Sequence, residues 1–65
     1  MAAGGEVEDR EVIDAMERMG GSFIAALGTA ARYADTENLR RLKAAFPEYW
    51  ERYSVAVRVW KGGAK

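Results

Sequence analysis

The sequence contains no cysteine and no histidine, and both absences exclude whole classes of chemistry. Without cysteine the chain cannot form a disulfide, and without either residue it lacks the usual ligands of structural zinc. Catalysis by a thiolate nucleophile or by an imidazole base is excluded for the same reason. The acidic pair Glu48 and Glu51 has helical spacing, but such pairs are usually solvated. We therefore predict a protein that is not an enzyme, with no catalytic residue, no cofactor and no metal site.

Long apolar runs and an excess of charge are also missing. The longest uncharged run, residues 19–31, is too short and too rich in glycine and alanine to cross a bilayer. The first residues lack the positive flank and apolar segment of a signal peptide. Ten basic residues balance ten acidic ones, which argues against a basic nucleic-acid module and a polybasic membrane anchor. We predict a cytoplasmic protein with no membrane partner, for which nucleic acid is the less favoured partner.

What the chain does contain is enough apolar character for a small core. Hydrophobic residues make up 49% of its 65 residues, which is too much for a disordered tail. A domain of this size buries only about 60% of the surface that its unfolded chain exposes, so a monomer would be marginal. We predict a single helical domain over residues 6–61, with disordered tails at residues 1–5 and 62–65. Self-association into a homo-oligomer is the expected additional stabiliser.

The zero net charge hides two segments of opposite sign. Residues 1–17 hold six acidic side chains and one basic one, a net charge of −5, and residues 18–65 carry the compensating +5. The simpler interpretation is a solvated acidic helix, whose carboxylates complement the helix dipole. The alternative is that the acidic segment lies against a basic segment, of the same chain or of a neighbouring subunit. Because the chain is so short, we expect this pairing to form between subunits.

Apolar residues recur at helical spacing through the first half of the chain and predict one long helix. Gly20 and Gly21 interrupt this stripe, at a cost of roughly 1–2 kcal/mol relative to alanine. The pair has three interpretations: close packing against another helix, a kink or break with Ser22 as the N-cap of a new helix, or an anion site built from bare amides. The first two are favoured, because the longer phosphate-binding glycine pattern is absent.

The second half predicts two further helical segments. Asp35 or Thr36 is placed to cap a short helix, and Pro47 is typical of the first position of the next one. Residues 54–60 fit a helix or a β-strand, and a helix is favoured because a single strand would have no partner. We therefore predict an all-α fold, in which a long helix, continuous or kinked at Gly20 and Gly21, packs antiparallel against a proline-kinked C-terminal arm in a small helical oligomer.

Four aromatic residues lie between positions 46 and 53, more than one helix face can bury. They are expected to close the core, to form an oligomer seam or to offer a stacking surface. The candidate oligomer interface comprises Met16, Met19, Phe23, Leu27, Trp50, Tyr53, Val57 and Trp60. The candidate site for an anion or nucleotide comprises Gly20, Gly21 and Ser22 for phosphate, Arg32, Arg40 and Lys43 for charge, and Tyr49 and Trp50 for stacking.

Residues 19–53 resemble a group of short proteins encoded by bacteriophages, prophages and conjugative elements. The resemblance is carried by Met19-Gly20-Gly21-Ser22-Phe23, Ala26-Leu27, Ala34-Asp35, Asn38, Leu42-Lys43, Ala45-Phe46-Pro47-Glu48-Tyr49-Trp50 and Tyr53. It implies an accessory protein of a mobile element in a bacterial host cell and brings no catalytic residue with it. By analogy with other proteins of that niche, we expect an anti-defence factor that occupies a host protein or sequesters a nucleotide-type ligand. The alternative is a nucleic-acid accessory protein that uses the basic C-terminal part.

Overall fold

The computed structural model describes residues 7–63, and within this range the chain forms helices and no strand. The all-α prediction is therefore confirmed. Residues 1–5, predicted to be a tail, lie outside the described residues, as do residues 64 and 65 of the second predicted tail. The helices are α1 (Asp9–Met19), α2 (Ser22–Arg32), α3 (Thr36–Ala45) and α4 (Pro47–Gly63).

The stretch predicted to be one long helix is two helices that fold back on each other. Gly20 and Gly21 have extended backbone, with ψ angles of 159° and −169°, so α1 ends at Met19. Gly21 is the N-cap of α2, and Ser22 is the first helical residue. The interpretation of Ser22 as the N-cap is therefore wrong, and no described side chain caps this end. The helix breaks at Gly20 and Gly21, as one of the interpretations of the glycine pair predicted.

Close packing of small residues does occur, but at Gly28 in the middle of α2. A Cβ added to Gly28 would lie 3.1 Å from the Cβ of Met16 and 3.2 Å from the carbonyl oxygen of Ile13. These distances are shorter than ordinary van der Waals contact, so glycine lets α2 approach the backbone of α1. The helical hairpin of α1 and α2 is built around this approach.

The helices of the second half begin where the sequence predicts. The Asp35 side chain caps α3 by accepting a 2.8 Å hydrogen bond from the backbone N–H of Asn38. Phe46 leaves helical geometry, and Pro47 opens α4 because its ring suits the first helical turn. The prediction of helix over residues 54–60 is confirmed, and α4 continues through Gly63, two residues beyond the predicted end of the domain.

The core lies on one side of α1, which contacts both α2 and α4. No residue of α3 (Thr36–Ala45) is buried, although its half-buried Leu39 and Leu42 pack against the edge of the core. The long helix was expected to pack on the C-terminal arm and on neighbouring subunits, whereas α1 packs against α2 and α4 of its own chain. The buried core consists of Val12, Ile13, Ala15 and Met16 from α1, Leu27 and Ala31 from α2, and Trp50, Tyr53 and Val57 from α4.

The described residues do not include a membrane-crossing helix, because none of their helices combines the necessary length with the necessary apolarity.

Candidate functional site

Arg32, at the end of α2, is bound by two carboxylates of α1. Its Nη2 lies 2.6 Å from Oε1 of Glu17 and 3.1 Å from Oδ1 of Asp14, and its Nε also donates to Glu17. The hydroxyl of Thr29 donates to the same Glu17 carboxylate at 2.9 Å. The hydrogen bond from Arg32, followed by that from Thr29, lowers the pKa of Glu17, and the contact raises the pKa of Arg32. This group of charges joins α1 to α2.

Asp9, at the start of the acidic helix α1, binds side chains of both α3 and α4. Each of its carboxylate oxygens lies 3.1 Å from Nζ of Lys43, which belongs to α3. The indole N–H of Trp50, in α4, donates to Oδ1 at 3.2 Å. Trp50 is only 8% exposed, so this hydrogen bond supplies the partner that a buried indole N–H needs. Asp9 therefore orients the ring of a core tryptophan.

A fourth carboxylate of α1, Glu11, binds the far end of α4. Its Oε2 lies 3.0 Å from Nζ of Lys61, and its Oε1 accepts a 2.9 Å hydrogen bond from the backbone N–H of Glu8 as part of a capping box. The hydrogen bond from Glu8, and then that from Lys61, lowers the pKa of Glu11. The cap and the ion pair thus use the same side chain.

These contacts place the pairing of acidic and basic segments inside one chain. Each of the other three helices sends a positively charged side chain to α1: Arg32 from α2, Lys43 from α3 and Lys61 from α4. Pairing with a basic segment of the same chain was one of the alternatives, and these contacts form it, whereas pairing between subunits stays a prediction. The physical reason is geometrical. The helix breaks at Gly20, and the chain then folds back so that α2, α3 and α4 each reach α1, which a single long helix would have prevented.

The residues predicted to bind an anion or nucleotide do not form a single site. Gly21 and Ser22 are exposed at the start of α2, whereas Arg32 is at its other end, about 15 Å away for an 11-residue helix. Trp50 is buried, so its ring does not offer a stacking surface.

Arg40 and Lys43 do meet, beside a hollow of about 260 Å³ that Asp9 also lines. An anion entering there would face the Asp9 carboxylate. In addition, Arg40 lies 2.6 Å from Glu37 and Lys43 is paired with Asp9. The two cations therefore meet where carboxylates already neutralise them.

A different set of side chains forms a continuous surface, which we call the aromatic patch: Phe23, Phe46 and Tyr49. The ring centroid of Phe23 lies 5.9 Å from that of Phe46 and 6.0 Å from that of Tyr49, and both pairs have edge-to-face geometry. Phe46 and Tyr49 are stacked with centroids 5.9 Å apart. Phe23 is 56% exposed, and the guanidinium of Arg52 lies 5.9 Å from the Tyr49 ring. Phe23 of α2, Phe46 between α3 and α4, and Tyr49 of α4 thus form one cluster, in which Phe23 is exposed and the other two rings are half-buried.

The residues predicted for an oligomer interface divide into two groups. Met16, Leu27, Trp50, Tyr53 and Val57 are buried within the single chain, so its own helices cover them. Met19, Phe23 and Trp60 are 45%, 56% and 54% exposed, and only these three are accessible to another molecule. Helical spacing marked both groups as apolar, but it does not distinguish a core contact from a surface one.

Two further depressions lie between helices. A cleft of about 210 Å³ between α1 and α4 has charged walls that are paired with one another, Glu11 with Lys61 and Asp14 with Arg18. A wider groove of about 520 Å³ between α2 and α3 is lined by alanines together with Tyr33, Asn38, Arg41 and Leu42. Within residues 7–63 there is no cluster of three or more acidic residues placed to hold a metal ion.

Comparisons with protein families, with curated proteins and with solved structures find no match to this chain. The resemblance to short proteins of mobile elements therefore stays a hypothesis.

Proposed function

We propose that the chain is a small, non-enzymatic binding protein that docks onto another protein through its aromatic patch. The observation that carries this proposal is a cluster of three mutually packed rings on a chain of 65 residues, in which Phe23 is exposed and Phe46 and Tyr49 are half-buried. A chain this small has few large side chains for its core, yet Phe23 remains more than half exposed. Aromatic side chains that are already ordered bind with little further loss of rotamer entropy and are enriched at the centres of protein interfaces.

The charge distribution supports a protein partner over a nucleotide or a nucleic acid. Binding of phosphates depends on Lys and Arg side chains without carboxylate partners. In this chain Arg32, Arg40 and Lys43 each have one, at 2.6 to 3.1 Å. Within the resemblance to mobile-element proteins, the proposal is an anti-defence factor that occupies a host protein in the bacterial cytoplasm. Sequestration of a nucleotide and association with nucleic acid become outcomes of the test.

Two matched variants test the patch. Phe23→Ser removes a ring from the aromatic patch, whereas Tyr33→Ser removes a ring that is 83% exposed and lies outside it. Each tagged variant and the parent chain would be immobilised and exposed to bacterial extract, and retained proteins would be quantified by mass spectrometry. We expect a protein that the parent and Tyr33→Ser retain and that Phe23→Ser loses. With that protein purified, Phe23→Ser should weaken binding about 30-fold, the effect of losing a hot-spot residue.

The proposal fails if Phe23→Ser retains the same proteins as the parent chain. It also fails if nucleoside phosphates raise the melting temperature of the chain, or if the chain binds duplex DNA with an affinity that falls steeply with salt. Circular dichroism of both variants establishes that they are folded before the binding data are compared.

A further inference from the structure

The guanidinium of Arg52 lies at the edge of the aromatic patch, 5.9 Å from the centroid of the Tyr49 ring, which is within cation–π range. At about 100° per residue, Arg52 lies about 60° around α4 from Tyr49. Glu48 lies about 100° and Glu51 about 160° from Tyr49 in the same direction, beyond Arg52. Residues 19–31, which supply the α2 ring of the patch, carry no charge. In the first half of α4, Arg52 is thus the charged residue closest in angle to the patch.

Arg52 differs from the basic side chains of the first three helices because it lacks a carboxylate partner. Each basic side chain of α1, α2 and α3 lies within 3.8 Å of a carboxylate oxygen. Within residues 7–63, Arg52 takes part in no ion pair, and none of its five N–H donors makes a hydrogen bond. Glu48, one turn earlier, has the spacing that favours a pair with Arg52, yet the guanidinium lies over the Tyr49 ring instead. The donors of Arg52 are therefore available to another molecule.

An unpaired guanidinium beside the aromatic patch is complementary to a carboxylate. Its planar fork can donate two parallel hydrogen bonds to a carboxylate while one of its faces contacts a ring. The rings next to it offer contact area to an apolar side chain. A single unpaired cation suits a single carboxylate, whereas the phosphates of a nucleic acid require several. The combination therefore fits a protein segment in which an acidic residue is adjacent to an apolar one.

We propose that the partner segment docked on the aromatic patch is acidic: one of its apolar side chains packs on the exposed ring of Phe23, and an adjacent Asp or Glu carboxylate pairs with Arg52. This inference rests on the proposed function and adds the chemistry of the partner to it. Burial of the rings favours binding, and the ion pair selects the sequence and the direction of the segment. Removing the charge of Arg52 therefore changes which segments bind, whereas removing the Phe23 ring weakens the binding of all of them.

A displayed library of random short peptides is the probe that tests the proposal. Peptides are selected on the parent chain, on Arg52→Gln and on Arg10→Gln, which makes the same change in net charge at a side chain of α1 that is 84% exposed. The parent and Arg10→Gln should select peptides with an excess of Asp and Glu next to apolar residues, and Arg52→Gln should select peptides without that excess.

The affinity of the best parent peptide is then measured by fluorescence anisotropy. Replacing its acidic residue with the corresponding amide should weaken binding to the parent chain about tenfold. The same replacement should leave binding to Arg52→Gln unchanged, because the carboxylate has no cation to pair with in that variant. Circular dichroism establishes that Arg52→Gln and Arg10→Gln are folded.

Failure of this inference and failure of the proposed function give different results. If no peptide selected on the parent chain loses affinity for Phe23→Ser, the aromatic patch is not the docking surface, and both fail. If the peptides require Phe23 but have no excess of acidic residues, or bind Arg52→Gln as tightly as the parent, the proposed function stands and this inference is overturned. Displacement of the peptides by ATP, or self-association of the parent that Phe23→Ser loses in sedimentation velocity, would identify a nucleotide or a second copy as the occupant and would also overturn it.

Discussion

Truncation of Met16 gives the sharpest prediction about the core. Met16 lies in α1 with none of its surface exposed, and α2 approaches it closely at Gly28. Met16→Ala removes three buried non-hydrogen atoms, worth about 0.8 kcal/mol each in transfer free energy, and leaves a cavity. Together these terms lower the free energy of unfolding by about 3 kcal/mol. A domain of this size rarely has more than about 3–5 kcal/mol in total, so the variant should keep only about 0–2 kcal/mol and unfold at a clearly lower urea concentration than the parent chain.

The matched control is Met19→Ala, the same substitution three residues further along the same helix. Met19 is 45% exposed at the last position of α1, so its truncation should cost less than about 1 kcal/mol. Urea denaturation followed by far-UV circular dichroism measures both variants against the parent chain. Equal losses for Met16→Ala and Met19→Ala would refute the placement of Met16 in the core.

The measurement is repeated at two protein concentrations to separate a core contact from a subunit contact. If Met16 lies in the core of one chain, the difference between Met16→Ala and the parent is independent of concentration. If Met16 packs across a subunit interface, the difference changes with concentration by mass action.

Three further predictions follow from individual contacts. A Cβ at Gly20 would lie 2.7 Å from a backbone carbonyl oxygen, so Gly20→Ala should lower the free energy of unfolding, measured by urea denaturation, by about 1–3 kcal/mol. Gly21 has open space where a Cβ would lie and precedes a helix without a side-chain cap, so Gly21→Asp should raise the free energy of unfolding by about 0.5 kcal/mol. A lower free energy of unfolding in both variants would contradict this. Asp9→Asn should lower the free energy of unfolding by about 1 kcal/mol and shift the indole N–H resonance of Trp50, and an unmoved resonance would show that their hydrogen bond is absent. Because Arg32 lowers the pKa of Glu17 in the folded chain, the ionised Glu17 carboxylate stabilises the fold fully above the ordinary carboxyl pKa of 4.5, and this stabilisation disappears as the pH falls through the lowered pKa. Glu17→Gln should therefore flatten the acid side of a plot of melting temperature against pH. An unchanged slope would count against the contact between Arg32 and Glu17.

The sequence predicted the local features of the fold well because they depend on neighbouring residues. Asp35 caps α3 and Pro47 opens α4, since both effects are set by backbone geometry within one turn. The break at Gly20 was harder to predict because the apolar stripe keeps its phase across it. A stripe of constant phase fits one long helix as well as two helices that fold on each other, and only the close approach at Gly28 distinguishes them.

The candidate site was less predictable because it depends on contacts between distant parts of the chain. The density of aromatic residues near Phe46 drew attention to that segment, but Trp50 is buried and Phe23, from another helix, completes the aromatic patch. The opposite charges of the two segments predicted a pairing without identifying the partners. Asp9 could not be recognised from sequence, because its two donors lie 34 and 41 residues away.

The central claim is that the acidic helix α1 is covered by α2 and α4 of its own chain. Isotope-filtered NOE spectroscopy on a mixture of labelled and unlabelled chains tests it directly, because it separates contacts within a chain from contacts between chains. We predict NOEs within one chain from the methyl groups of Val12 and Met16 to the other buried core residues, and an indole N–H of Trp50 protected from exchange. NOEs from Val12 and Met16 that appear only between labelled and unlabelled chains would contradict the account.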